Sequence, residues 1–193
     1  MSDEMIKHRT IIHGNTDPKL IYPDIKVAQD MYILPILGTA LYDKLQTALN
    51  DGSIPRDGSA PTDAAYLPYK ALLDNYILDA LQYYTMAELP TSMSYQFWNK
   101  GVVRKQGENT DLPSMSELID ISNKYRDRGQ WYANRLRVYL IQNAATKFKE
   151  YYLPGNGIDT INPDRKGFSI PVYLGDDSDY CNPGGFTREP YKP

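Results

Sequence analysis

Ten residues near the end of the chain constrain its fold most. Leu118, Ile121, Tyr125, Gly129, Tyr132, Leu136, Leu140, Ala144, Phe148 and Tyr151 follow one another at steps of three or four. Nine steps over 33 residues average 3.67, close to the α-helical period, so the stripe predicts one face of a very long helix. Ser114 with Glu117 three residues later has capping-box spacing and starts it, and Pro154-Gly155 stops it. A continuous helix over 115–152 holds 38 residues and extends about 57 Å at 1.5 Å per residue. Gly129 sits on the stripe, where it either allows a close helix approach or divides the run into two shorter helices.

A helix with one apolar face needs other elements to cover it, and the rest of the chain supplies helical patterns. A polar lead-in, 1–23, ends at Tyr22-Pro23-Asp24. Ile25, Ala28, Tyr32 and Ile33 then recur at helical spacing, and Pro35 and Gly38 predict a break or sharp kink. Thr39 is placed to cap a helix bearing Leu41, Leu45 and Leu49, which ends near Asn50-Asp51-Gly52 ahead of a loop over 52–61. The next helical run, 69–88, turns Leu72, Leu73, Tyr76, Ile77, Ala80, Leu81, Tyr84 and Ala87 inward, with Pro90 closing it. Residues 94–105 read as a short β-hairpin with Gly101 in the left-handed position of a three-residue turn, and two strands alone need a partner surface. The tail, 155–193, has 6 Gly and 5 Pro among 39 residues; it predicts an extended arm with one short edge strand at 168–174. The expected architecture is therefore mainly α, a helical bundle over 24–154 with one long helix, a small hairpin and an extended C-terminal arm. That arm either grips a neighbour or folds back on its own helices.

Composition narrows the classes. At 193 residues, 41% hydrophobic and 23% charged, the chain has the makings of one packed domain. Seventeen tyrosines against four Phe and two Trp suit surfaces that must stay wet alone yet bury in a partner. No apolar run approaches the ~18 residues of a membrane span, and the opening Met1-Ser2-Asp3-Glu4-Met5 lacks the features of a secretory signal. Cys181 is the single cysteine, which excludes an internal disulfide and a thiolate metal cluster.

Chemistry-bearing motifs are scarce. His8 and His13, five apart, do not share a helical face, and neither a nucleophile elbow nor a phosphate loop occurs. Asp176, Asp177 and Asp179 form the one acidic cluster; without the glycine and glutamate of a calcium loop it reads as a solvated turn. No catalytic residue, metal ligand or cofactor is therefore expected.

Charge is unevenly spread. Residues 96–149 carry +5 and the remainder −8, so a basic helix sits in an acidic protein. Arg104, Lys105, Arg126, Arg128, Arg135 and Arg137 are the candidates for inter-subunit electrostatics or for weak, non-specific contact with nucleic acid. Tyr95, Phe97 and Trp98 of the hairpin, with Phe168, Tyr173, Tyr180, Phe186 and Tyr191 of the arm, are the candidate aromatic anchors for a neighbour.

Two phrases carry a resemblance. Ala28-Gln29-Asp30-Met31-Tyr32-Ile33-Leu34-Pro35-Ile36-Leu37-Gly38 is followed by Leu41-Tyr42, and Asn99-Lys100-Gly101-Val102 precedes a long helix holding Tyr132-Ala133-Asn134-Arg135-Leu136 and Tyr139-Leu140. In order and spacing these resemble the head–tail connector (adaptor) proteins of crAss-like and related phages of gut bacteria. The resemblance covers about residues 20–155. It implies a structural virion protein without catalytic residues. Twelve copies would form a ring beneath the portal protein, meeting the next neck or tail ring, with genomic DNA passing through the lumen. The implied locale is the virion neck, after synthesis in the host cytoplasm, with no membrane contact. The long Gly/Pro-rich C-terminus departs from the pattern and puts arm-to-portal docking in question; a second, lower neck ring would have the same size and shape. The competing classes are a monomeric helical adaptor for another protein and a small enzyme using the 176–179 carboxylates on a metal.

Overall fold

The computed structural model describes residues 3–99, 101–104, 113–152 and 160–165, with the backbone alone at 96–98 and 101–104. The protein is mainly helical. Two short helices open the chain: α1, Asp3–Arg9, lies in the lead-in, and α2, Pro18–Ala28, begins there and runs through Pro23 into the bundle. Asp17 caps α2 by accepting from the Lys19 N–H, and Pro18 at the first position lacks only a donor that had no helical partner. The polar lead-in is thus part of the fold. Ile6 and Ile21 are fully buried and share a small core with Ile25, Met86 and Leu89.

The expected break at Pro35 is absent. From Ala28 the chain widens into a π turn, Gln29–Ile33, and continues as α3, Leu34–Leu37, up to Gly38. A proline ring crowds the carbonyl four residues upstream and offers no N–H, and a wider turn just before it relieves both demands. The chain then turns at Gly38 into α4, Thr39–Asn50. Gly38, not Thr39, holds the N-cap position; Thr39 is the first helical residue.

Asp63 accepts from the Ala65 N–H and opens the next helical run. It comprises a 3₁₀ turn (Ala64–Tyr66), α5 (Leu67–Leu72), a second π turn (Leu73–Ile77) and α6 (Leu78–Ser94). Pro90 does not close it: α6 runs on through Ser94, whose hydroxyl donates to the Pro90 carbonyl at 2.6 Å. Burial of Met86 and Leu89 against α2 supplies what the missing hydrogen bond does not. α6 is the central element. Besides the predicted inward residues it buries Leu78, Gln82, Thr85, Met86 and Leu89, because α2 and α7 pack on different sides of it.

The strands Tyr95–Trp98 (β1) and Gly101–Arg104 (β2) pair antiparallel. Trp98 is opposite Gly101, so Gly101 belongs to the ladder and not to the turn where its sequence placed it.

The long helix α7, Met115–Lys147, is continuous through Gly129. Its N-terminus carries the full capping box: Ser114 Oγ accepts from the Glu117 N–H, and the Glu117 carboxylate accepts from the Ser114 N–H at 2.6 Å. That bond to the Ser114 amide holds the Glu117 carboxyl below its ordinary range. The helix holds 33 residues, shorter than the expected 38, because the chain leaves helical geometry at Phe148 and makes a 3₁₀ turn over Lys149–Tyr151. Of the predicted stripe, Ile121 is exposed, and Ser122 is buried in its place, donating to the Ala87 carbonyl at 2.6 Å.

At Gly129 α7 packs tightly against Tyr84 of α6. A Cβ there would lie 2.9–3.1 Å from the Tyr84 ring, which is stacked on Tyr32 at 4.1 Å and holds Gln130 through its hydroxyl. Burial pushes the Tyr84 phenol up to about 12. Because the ring is fixed on both faces, Gly129→Ala is expected to destabilise the fold. Overpacking costs about 1–3 kcal/mol and the helix-propensity gain returns about 1 kcal/mol. The net loss, up to about 2 kcal/mol in urea unfolding, would be absent if the ring could move aside.

Tyrosine abundance has an internal explanation. Tyr32–Tyr84, Tyr76–Tyr139 and Tyr83–Tyr132 stack between helices at 4.0–5.1 Å. Many of the rings read from composition as partner-facing are instead inter-helix spacers whose hydroxyls reach the surface, as Tyr32 does in donating to Glu88 at 2.7 Å.

Beside that contact, Asp24 is buried between α2 and α6. One carboxylate oxygen accepts from the Ser92 hydroxyl at 2.8 Å; the other, Oδ2, has no hydrogen-bond partner among the described residues. Burial raises its pKa above the ordinary 3.8; the Ser92 bond partly opposes this, and the nearby Glu88 charge adds a smaller push upward. A carboxyl whose folded pKa is raised favours the protonated fold, so stability is lost as pH rises from about 3.8 through the raised value. Asp24→Asn, which stays neutral, should therefore gain stability relative to wild type as pH goes from 3 to 7. A stability difference flat over that range would contradict the assignment.

Candidate functional site

Three features rise above ordinary packing. The first is an apolar groove of about 540 Å³ bordered by both π turns. Gln29 and Ile33 line it from the first turn, Leu73 and Ile77 from the second, and Leu45 and Leu49 from α4. A π turn inserts an extra residue per turn and splays side chains outward, and such turns recur at functional sites. The rim carries two i,i+4 ion pairs, Lys26–Asp30 at 2.7 Å and Lys70–Asp74 at 2.8 Å. An apolar floor with a charged rim is a binding geometry.

The second is a clasp that returns the chain to its own bundle. Residues 160–165, which the sequence assigned to the extended arm, lie against the Gly38 turn. The Thr39 N–H donates to the Ile161 carbonyl at 3.0 Å, the Ile161 N–H to Thr39 Oγ1 at 2.9 Å, and the Asp164 N–H to the Pro35 carbonyl at 2.8 Å. Gly38 is at φ +73°, and a Cβ there would meet Pro163 Cδ at 2.7 Å. Arg165 lies over the Tyr152 ring at 4.7 Å and donates to the Tyr151 carbonyl at 3.1 Å.

Arg137 completes this clasp, and its sequence assignment is corrected. It was a candidate for an exposed electrostatic role, yet it is 7% exposed. Its guanidinium donates to the Asp164 carbonyl at 3.0 Å and Asn134 Oδ1 at 2.6 Å, and pairs with the Asp164 carboxylate at 3.4 Å. Arg137 sits on the core side of α7 because the returning segment supplies acceptors there. Spacing alone held that signal: its position falls among Ala133, Leu136, Leu140 and Ala144.

The third is the outer face of α7. The remaining candidate cations on this helix are exposed but largely engaged within the chain. Arg126 lies 3.6 Å from Glu88; Arg135 approaches Asp79 at 3.8 Å and covers the Tyr76 ring at 4.7 Å; Arg128 lies over Tyr125 at 5.7 Å. Between them Trp131 is 62% exposed and Val138 50% exposed, directly opposite the core stripe.

Of the hairpin anchors, the Tyr95 hydroxyl approaches Met115 Sδ at 3.8 Å. Phe97, Trp98 and Arg104 lie in the paired strands, where the backbone alone is described. Lys105, Phe168, Tyr173, the 176–179 carboxylates, Tyr180, Cys181, Phe186 and Tyr191 lie outside the described residues. Among the described residues no three His, Cys, Asp or Glu side chains gather as a metal site, and no helix is long and apolar enough to cross a membrane. The groove and the clasp were missed in the sequence. The π turns have no local composition signature, and the clasp joins positions more than 120 residues apart.

A family model described as a family of unknown function (DUF6712) matches residues 33–161, about two thirds of the chain. The matched segment begins in the first π turn and ends at Ile161, so it takes in the Thr39–Ile161 bonds of the clasp and stops short of Pro163, Asp164 and Arg165. No curated protein and no solved structure matches the chain.

Proposed function

We propose that this chain, which belongs to the DUF6712 family, is a structural, non-enzymatic subunit that forms a ring at a phage head–tail junction, in the manner of a connector (adaptor) protein. The observation that carries it is where the family-like phrases lie. The phrase over 28–38 forms the π turn, α3 and the Gly38 turn; that over 132–140 is the stretch of α7 packed behind it. Ala28, Ile33, Ile36 and Leu37 share one core with Ala133, Leu136 and Leu140. The two phrases, a hundred residues apart, thus meet in one packed core, so the resemblance falls on the part of the chain that builds the fold.

In this role three parts of the subunit would supply the ring's contacts. The paired strands carrying Tyr95, Phe97 and Trp98 form a two-stranded sheet, which is marginal alone and gains from a neighbour. The groove between the π turns offers apolar surface to a second copy or to the portal. Exposed Arg126, Arg128 and Arg135, already engaged within the chain, would meet passing DNA weakly, as sliding requires. Arg137 is left out of this set.

The test is copy number per purified particle, by quantitative mass spectrometry against the portal protein. A ratio near one to one supports the ring. Absence from the particle overturns it and leaves a monomeric helical adaptor as the function to pursue.

A further inference from the structure

We propose that the groove between the two π turns binds an amphipathic monocarboxylate, an acyl chain of about a dozen carbons with a single negative head. This goes beyond the ring reading and does not rest on it, although a neighbour in a ring would use the same groove.

The groove is apolar where such a chain would lie. Ile25, Ile33, Leu37, Leu45, Ile77 and Leu81 line it and are buried. They come one each from α2, the first π turn, α3, α4, the second π turn and α6. Half-buried Leu49 and Leu73 continue the apolar wall. A lining drawn from six elements of one packed unit is set by the fold, so the site is formed before any ligand arrives. At about 30 Å³ per water-sized group, 540 Å³ holds up to about 18 heavy atoms, room for about a dozen carbons and a carboxylate.

Charge selects the head group. Lys26, Arg56 and Lys70 stand on the lining with one carboxylate, Asp74. Lys70 is paired with Asp74 at 2.8 Å, and Lys26 with Asp30 at 2.7 Å, which neutralises two of the three cations. Arg56 forms no ion pair among the described residues. One uncompensated cation beside an apolar groove is complementary to one negative charge.

The guanidinium of Arg56 is already held in place. Its Nε donates to the Leu49 carbonyl at 3.1 Å and its Nη2 to Asn50 Oδ1 at 2.9 Å. Those bonds use one side of the fork. Nη1 and the second Nη2 hydrogen are left, the adjacent donors that a planar carboxylate accepts side by side. Leu49 itself lines the groove, so the bond to its carbonyl keeps the fork at the groove edge and lowers the ordering cost of binding.

Calorimetric titration of the full chain with dodecanoate, below the concentration at which it forms micelles, tests this. The expected result is saturable binding of one molecule per chain. Dodecanol, the same chain with a neutral head, should bind at least about tenfold more weakly. Arg56→Gln, at an exposed position, should weaken dodecanoate about tenfold and leave dodecanol unchanged, which also shows that the groove is intact. Binding without saturation at one molecule, equal affinity for the two ligands, or wild-type dodecanoate affinity in Arg56→Gln overturns the proposal. A dodecanoate carrying a diazirine near its methyl end gives the location. Its label should fall within 25–37, 45–49 or 73–81, and label elsewhere overturns the proposal as well. Self-association that Leu49→Lys abolishes, with no dodecanoate bound, would assign the groove to a second copy instead. None of these readouts depends on copy number in the particle, so ligand binding and ring formation can fail separately.

Discussion

Gly38→Ala is expected to destabilise this protein by about 3 kcal/mol. Two causes act together. At φ +73° and ψ 159° the residue occupies backbone space essentially reserved for glycine, worth about 1–3 kcal/mol of strain in any other residue. The added methyl would also press on Pro163 Cδ at 2.7 Å, the Pro163 backbone nitrogen at 3.0 Å and the Ile161 carbonyl at 3.2 Å, an overpacking cost of about 1–3 kcal/mol. Backbone atoms cannot swing away as a flexible side chain does, so the 160–165 segment must shift and its bonds to the Pro35 carbonyl and to the Thr39 amide and hydroxyl stretch. Gly52→Ala separates the two causes. Gly52 is at φ +80° with nothing within 4 Å of its would-be Cβ, so it reports strain alone and should cost about 1 kcal/mol. Equal losses for the two variants in urea unfolding would show that contact with 160–165 adds nothing.

Arg137→Met should cost about 2–3 kcal/mol and open the clasp. The ion pair contributes little, because the Asp164 carboxylate is half exposed and water screens it. The weight falls on the guanidinium's bonds to the Asp164 carbonyl and Asn134 Oδ1, which methionine cannot make. Arg137→Lys keeps the charge but not the fork that reaches both acceptors, and should recover only part of the loss. Hydrogen exchange gives the specific readout: the Thr39, Ile161 and Asp164 amides should exchange faster in Arg137→Met, whereas Arg128→Met should leave them unchanged. Wild-type protection of those amides in Arg137→Met would return the residue to the exposed role that its sequence suggests.

These two residues illustrate what local sequence can and cannot carry. Arg137 has the composition of a surface residue and the spacing of a core residue; only the arrival of Asp164 from 27 positions downstream decides between them. Gly38 was read as helix punctuation, correctly so far as the chain turns there. Its need for glycine comes equally from Pro163, far along the chain.

The prolines tell the same story from the other side. Pro35 and Pro90 are local stop signals, and both are overridden. A π turn absorbs the first, and burial of Met86 and Leu89 holds the helix together around the second. Local propensities amount to a kilocalorie or a few per residue, and burial of several large side chains exceeds that.

By itself the sequence determined the class of fold, the start of α7 at its capping box, and most of the face that α7 and α6 bury. Those features rest on period and on neighbours three or four residues away, where the chemistry is local. The tertiary structure decided the continuity through Gly129, the π turns and their groove, the burial of Asp24 and Arg137, and the clasp. Each of these depends on atoms brought together across tens of residues. Whether a polar group is satisfied or a methyl group fits is a property of that meeting, and no single stretch of sequence contains it.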